Sequence, residues 1–141
     1  MNFLVLSRQK IAGFSTDIPH IVISIVDKYE KSARIRPNKF CLGITRLRFD
    51  DYGEDTKKWA KEKTVLFNKE DAKKIVNFVR RYLNKVELIV CQCEAGISRS
   101  AGVAAALSKY ITGSDEYYFK HYLPNSLVYK LLINELYKET K

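Results

Sequence analysis

Cys93-Glu94-Ala95-Gly96-Ile97-Ser98-Arg99-Ser100 is the stretch from which the rest of the chain can be read. An apolar run, Val86 to Val90, precedes it. A run of small residues with helical character, Ser100 to Tyr110, follows. A strand that turns directly into a helix presents N–H groups without intrahelical partners, and such a terminus binds anions. A cysteine at the start of that turn has its thiolate stabilised by the same N–H groups and by the helix dipole. An arginine at the far end can return its planar fork to the loop's centre and hold two oxygens of a tetrahedral anion. Gly96 lets the backbone curl so that successive N–H groups point inward. Glu94, Ala95, Ile97 and Ser98 then serve as main-chain donors, with the Glu94 carboxylate turned away from the anion.

Outward from this loop, strands and helices alternate. Asn2–Ser7 and His20–Val26 are continuous apolar runs that read as strands covered on both faces. A short helix over Arg8–Phe14 separates them, ended near Gly13. The polar, basic stretch 27–39 reads as a loop. A third strand is expected over Ile44–Phe49 and a fourth over Val86–Cys91. Asn68, with Asp71 three residues on, signals a helix start. The helix over Lys69–Leu83 places Ala72, Ile75, Val76, Val79 and Leu83 on one face. Helices follow over Ser98–Ile111, Asp115–Tyr122 and, from Pro124, to about Lys138, with Leu127, Leu131 and Leu132 starting the last apolar stripe. The alternation predicts an α/β fold, with a mostly parallel central sheet of about four to five strands and helices on both faces. Ligands of such sheets bind at the carboxyl ends of the strands. The signature loop lies at such an end, and so do Asp50 and Asp51.

A chain of 141 residues accommodates one domain, expected over 1–141. Its apolar fraction of 46% and charged fraction of 29% are ordinary for a globular protein. No run approaches the roughly 18 apolar residues of a membrane span. Met1 to Arg8 has too short an apolar core for a leader and reads as the first strand. Cys41, Cys91 and Cys93 make an odd count without disulfide-framework spacing, which predicts a cytoplasmic, reducing setting. The net charge of +9 suits anionic ligands, although the basic residues are scattered over helix faces rather than gathered in a stripe.

C-x5-R followed by Ser, within Cys-Glu-Ala-Gly-Ile-Ser-Arg-Ser-Ala-Gly, resembles the signature of the cysteine-dependent protein tyrosine phosphatases. It is most similar to the small dual-specificity branch, especially its compact single-domain members. Phe3-Leu4-Val5-Leu6-Ser7, His20 to Ile25, Leu47-Arg48-Phe49-Asp50-Asp51 and Pro124-Asn125-Ser126 look like further pieces of that group. The resemblance implies the phosphatase fold and hydrolysis of phosphotyrosine, extending to phosphoserine and phosphothreonine in proteins, through a cysteinyl-phosphate. Cys93 would be the nucleophile and Arg99 the phosphoryl clamp. Ser100 would supply a hydroxyl that hydrogen-bonds the sulfur. The upstream general acid maps best to Asp51, with Asp50 next. The family usually carries His before the nucleophile; here that position is Gln92, which can donate a hydrogen bond but cannot carry charge.

No cofactor or metal is implied, and His20 and His121 lack ligand spacing. The expected partner is a phosphorylated protein or peptide met by a monomer. An RNA 5′ end or a phosphoinositide is admitted by the charge but not favoured, because the loop interior lacks extra basic residues. A phosphopeptide-binding module without turnover is the non-enzymatic alternative. Cys91 is expected to be a core thiol, as is Cys41. Asn125 is a candidate support for the signature loop, and Tyr52 and Trp59 for the rim of the site, with a core anchor as the equal alternative for Trp59.

Overall fold

The computed structural model describes residues 1–138; residues 139–141 of the expected single domain lie outside the described part. Its sheet has four parallel strands in the order β1-β4-β2-β3. They are β1 (Asn2–Leu6), β2 (His20–Val26), β3 (Cys41–Arg48) and β4 (Leu88–Gln92). The α-helices are α1 (Arg8–Ala12), α2 (Lys69–Tyr82), α3 (Arg99–Thr112), α4 (Glu116–His121) and α5 (Ser126–Leu136). Parallel pairing sets every strand's carboxyl end on one edge, so the turns after Leu6, Val26, Arg48 and Gln92 gather there.

Burial explains the strand pattern. β2 lies between β4 and β3 and is buried along its whole length, as its unbroken apolar run predicts. β1 carries a similar run but is an edge strand, with Asn2 exposed. β3 is the opposite edge and alternates exposed and covered residues over most of its length. It starts at Cys41, earlier than the sequence suggests, because Gly43 does not break it. Gly43 instead makes room for a neighbour: a Cβ there would stand 2.9 Å from the Tyr82 ring at the end of α2.

The expected capping pair closes the start of α2. Asp71 N–H donates to Asn68 Oδ1 at 2.9 Å, and Asn68 N–H donates to Asp71 Oδ2 at 3.1 Å. Ala72, Ile75, Val76 and Val79 are buried against the sheet's main core, while Leu83 is only partly covered. α3 is buried from Arg99 to Ser108 because it packs against the sheet and against α5. Ala101, Ala104 and Ala105 permit that close approach. Gly113, with φ 89°, ends the helix in the left-handed region. The two faces of the sheet are covered unequally. Residues of α2, α3 and α5 fill one side. Ile11 of α1 fills the other together with Ala33 and Ile35 of the coil after β2, so coil does part of the work expected of helices.

Ile75→Ala, in a side chain with 0% exposure, should cost about 2–5 kcal/mol in urea unfolding. Asn68→Ala should cost about 1 kcal/mol, the value of one cap. Equal costs would contradict this partition between core and cap.

Candidate functional site

β4 delivers Gln92 into the sheet and Cys93 to its edge. Gln92 is completely buried; it accepts a hydrogen bond from Ser24 Oγ at 2.5 Å and donates through Nε2 to the Ile25 carbonyl at 3.4 Å. Ser24 is its register partner on β2. The pair locks β4 to β2 one residue before the loop, in a position where the resemblance leads one to expect His. Cys93 is 2% exposed, and its Sγ lies 3.0 Å from Ser100 Oγ.

The carbonyls of the loop are engaged by neighbours. Arg8 N–H donates to the Glu94 carbonyl at 3.1 Å, and Leu123 N–H to the Ile97 carbonyl at 3.1 Å. The Ser98 carbonyl accepts from Gly102 N–H at 2.8 Å and from Asn125 N–H at 2.9 Å. Among the described residues, the N–H groups of Glu94 through Arg99 donate to no protein acceptor. Gly96 has φ 69°, and a Cβ on it would sit 2.6 Å from the Ser7 nitrogen. Glu94 is exposed and turned outward, its Oε2 3.7 Å from Arg8 Nη1.

Arg99 is 5% exposed. Its Nη1 donates to Asp27 Oδ1 at 2.5 Å and to the Phe49 carbonyl at 2.8 Å. Its Nε is buried without a partner among the described residues. The guanidinium is therefore held by one corner, leaving the edge formed by Nε and Nη2 uncommitted. Asp27, directly after β2, is a residue that sequence reasoning missed. It sits in a polar stretch read only as a loop, and nothing in its spacing links it to Arg99. Ser24 was also missed, although a hydroxyl within an otherwise apolar buried run is a readable signal.

The two candidate acids are separated by their partners. Asp51 is exposed, and its Oδ1 accepts from Ser98 Oγ at 2.9 Å and from Asn125 Nδ2 at 2.8 Å. Both oxygens of Asp50 instead accept main-chain N–H groups, Val65 at 3.0 Å and Lys28 at 3.3 Å. Asp50 thus ties two loops together, whereas Asp51 is suspended over the end of the signature loop. Asn125 serves both sides: its Oδ1 caps α5 by accepting from Leu127 and Val128 N–H, while Nδ2 also donates to the Tyr52 carbonyl.

Asp27, Asp51, Tyr52, Trp59 and Arg99 border an open depression of about 610 Å³. Trp59 is 64% exposed, which makes it a rim residue and not a core anchor. Cys91 is buried with no disulfide, and burial, reinforced by Cys93, pushes its thiol far above the usual range. Cys41 is half-buried, with its thiol also raised by burial. The two histidines lie apart, His20 against Phe14 and His121 against Tyr117.

Solved structures share this architecture. The human tyrosine phosphatase-like serine/threonine/tyrosine-interacting protein superposes with a TM-score of 0.53 at 21% identity, over 84% of this chain and 76% of that one. PTPMT1 in complex with PI(5)P superposes at 0.52 and 17% identity, over 85% and 77%. DUSP15 does so at 0.51 and 19%, over 85% and 70%. This is a protein tyrosine phosphatase-like fold. A scan against protein-family models finds no match, and a search of curated protein sequences finds none. Within the phosphatase fold, the signature loop occupies the β4–α3 turn and Asp51 the turn after β3. Among the described residues, no helix is long and apolar enough to cross a membrane.

Gly96→Ala tests the loop directly. The added methyl meets main chain and the φ is unfavourable, so unfolding stability should fall by about 1–3 kcal/mol. Gly13→Ala, with open space around its Cβ position, should stay within about 0.5 kcal/mol in the same thermal assay.

Proposed function

We propose that residues 1–141 form a single phosphatase domain that hydrolyses phosphomonoesters of proteins through a cysteinyl-phosphate. The observation that carries this reading is the run of N–H groups from Glu94 to Arg99 that have no acceptor among the described residues, in a loop that starts at the buried Cys93 and ends at Arg99, whose buried Nε also lacks a partner. Such an array matches the equatorial oxygens of a phosphoryl group and stabilises the charge they carry in the transition state. The Cys93 thiolate attacks phosphorus in line and the P–O bond to the leaving group breaks. Asp51 gives its proton to the departing oxygen. Water then attacks the cysteinyl-phosphate, with Asp51 taking its proton, and sulfur leaves as thiolate with the Ser100 hydroxyl in contact. No cofactor enters this sequence.

The depression beside Arg99 gives a phosphorylated side chain, phosphotyrosine or a shorter phosphoserine or phosphothreonine, a way to the guanidinium. Glu94, Ala95, Ile97 and Ser98 add no basic side chain to the loop, which weighs against a densely charged phosphoinositide headgroup as the main substrate. The outward Glu94 carboxylate removes the electrostatic objection to an anion at the loop. Free thiols at Cys41, Cys91 and Cys93 fit the reducing, cytoplasmic setting that the sequence suggests.

Steady-state hydrolysis of para-nitrophenyl phosphate and of a phosphotyrosine peptide tests the assignment. Cys93→Ser should abolish turnover of both. Asp51→Asn should lower kcat by about 10²–10⁴-fold on the peptide, the span of general acid catalysis, and much less on the activated nitrophenyl ester. Asp50→Asn should cost only a few-fold. A larger loss for Asp50→Asn than for Asp51→Asn would reverse the two roles.

A further inference from the structure

We infer that a basic depression beside the signature loop is a second anion subsite, which selects peptides carrying a further anionic group next to the phosphorylated residue. The inference rests on the phosphatase reading above and deepens it toward substrate choice. Arg8, Lys31 and Arg34 line this cavity of about 760 Å³, whose wall includes Glu94 and Ala95 of the loop itself. It therefore shares a border with the proposed phosphate site, at the rim away from Ser98, Arg99 and Asp51.

The depression is built rather than incidental. Its outer wall, the coil around Ser32, is pinned by three arginines from two elements, Arg8 of α1 and Arg46 and Arg48 of β3. Arg8 Nη2 donates to the Ser32 carbonyl at 3.2 Å, and Arg46 Nη1 to the Ala33 carbonyl at 3.1 Å. Arg48 donates to the Glu30 carbonyl and, at 2.9 Å, to Ser32 Oγ. Buried Ala33 anchors the same coil in the second core cluster. Lys31 and Arg34 are consequently presented from a fixed backbone, exposed and with no carboxylate partner among the described residues. The facing negative groups are Glu94, 3.7 Å from Arg8, and the exposed Glu30. The pinning arginines add positive charge beneath the coil, so the depression remains net positive.

The lining identifies the ligand chemistry. It offers cations, the Ser7 and Ser32 hydroxyls and the Gln9 amide, but no aromatic side chain. Single-stranded nucleic acids are held largely by stacking bases on aromatics, which this surface does not provide. A carboxylate or a second phosphate on an extended peptide needs only the cations. The net charge of the whole chain, +9, would steer such peptides toward the site.

Phosphotyrosine peptides with neutral flanks, with flanking Asp or Glu, and with a second phosphorylated residue separate the cases, alongside a 5′-phosphorylated oligonucleotide. At low salt, kcat/KM for the doubly anionic peptides should exceed that for the neutral one about tenfold, the range of a few exposed charge pairs. The Lys31→Glu/Arg34→Glu double variant should erase the preference and leave para-nitrophenyl phosphate hydrolysis unchanged. Fluorescence anisotropy of the same peptides on Cys93→Ser protein reads the subsite even without turnover, so failure of the phosphatase reading and failure of the subsite give different results. Equal affinity for neutral and anionic peptides overturns the proposal. So does a preference that survives the double variant, or one for the oligonucleotide over every peptide.

Discussion

The orientation of the peptide units between Cys93 and Arg99 is the constraint on which the rest of this molecule depends. A peptide unit is rigid, so fixing its carbonyl fixes its N–H. In this loop the carbonyls of Glu94, Ile97 and Ser98 are taken by Arg8, Leu123 and Asn125 from outside, and the N–H groups of Glu94 through Arg99 are left without an acceptor among the described residues. The arrangement needs donors from two distant parts of the chain. The turn after β1 supplies one and the approach to α5 supplies the others. The site is thus a product of the whole topology, and parallel pairing is what brings those segments to one edge of the sheet.

The same logic governs the groups around the loop. Gln92 and Ser24 satisfy each other inside the sheet, where unpaired polar atoms would cost about 1–3 kcal/mol each. Arg99 is nearly fully buried, a costly state for a cation unless it is paired. Asp27 and the Phe49 carbonyl meet part of that demand and hold the guanidinium plane, while the buried Nε still lacks an acceptor. In the proposed function an oxyanion at that edge would complete the pairing. Asn125 links stability to the site, since one side chain caps α5 and suspends Asp51.

Much of this was legible in the chain. The strand-loop-helix context of Cys93, the place of Arg99 at the start of α3, the nearness of Ser100 to the sulfur and the capping pair at Asn68 all follow from local spacing. Asp51 and Asp50 are adjacent in sequence, and only their partners, Ser98 and Asn125 for one and the Val65 and Lys28 amides for the other, set them apart. What escaped was non-local. Asp27 meets Arg99 only because β2 and the β4–α3 turn end side by side. The early start of β3 was hidden because Gly43 answers to Tyr82, far along the sequence. The coil at Ser32 looks unstructured in sequence, and its order comes from arginines on other elements.

Amide chemical shifts during titration with inorganic tungstate, a stable tetrahedral oxyanion, test the central claim most directly. The account predicts saturable shifts centred on the N–H groups of Glu94 through Arg99 and on the Arg99 side chain. Shifts spread over surface lysines, with those N–H groups unmoved at saturating tungstate, would contradict it.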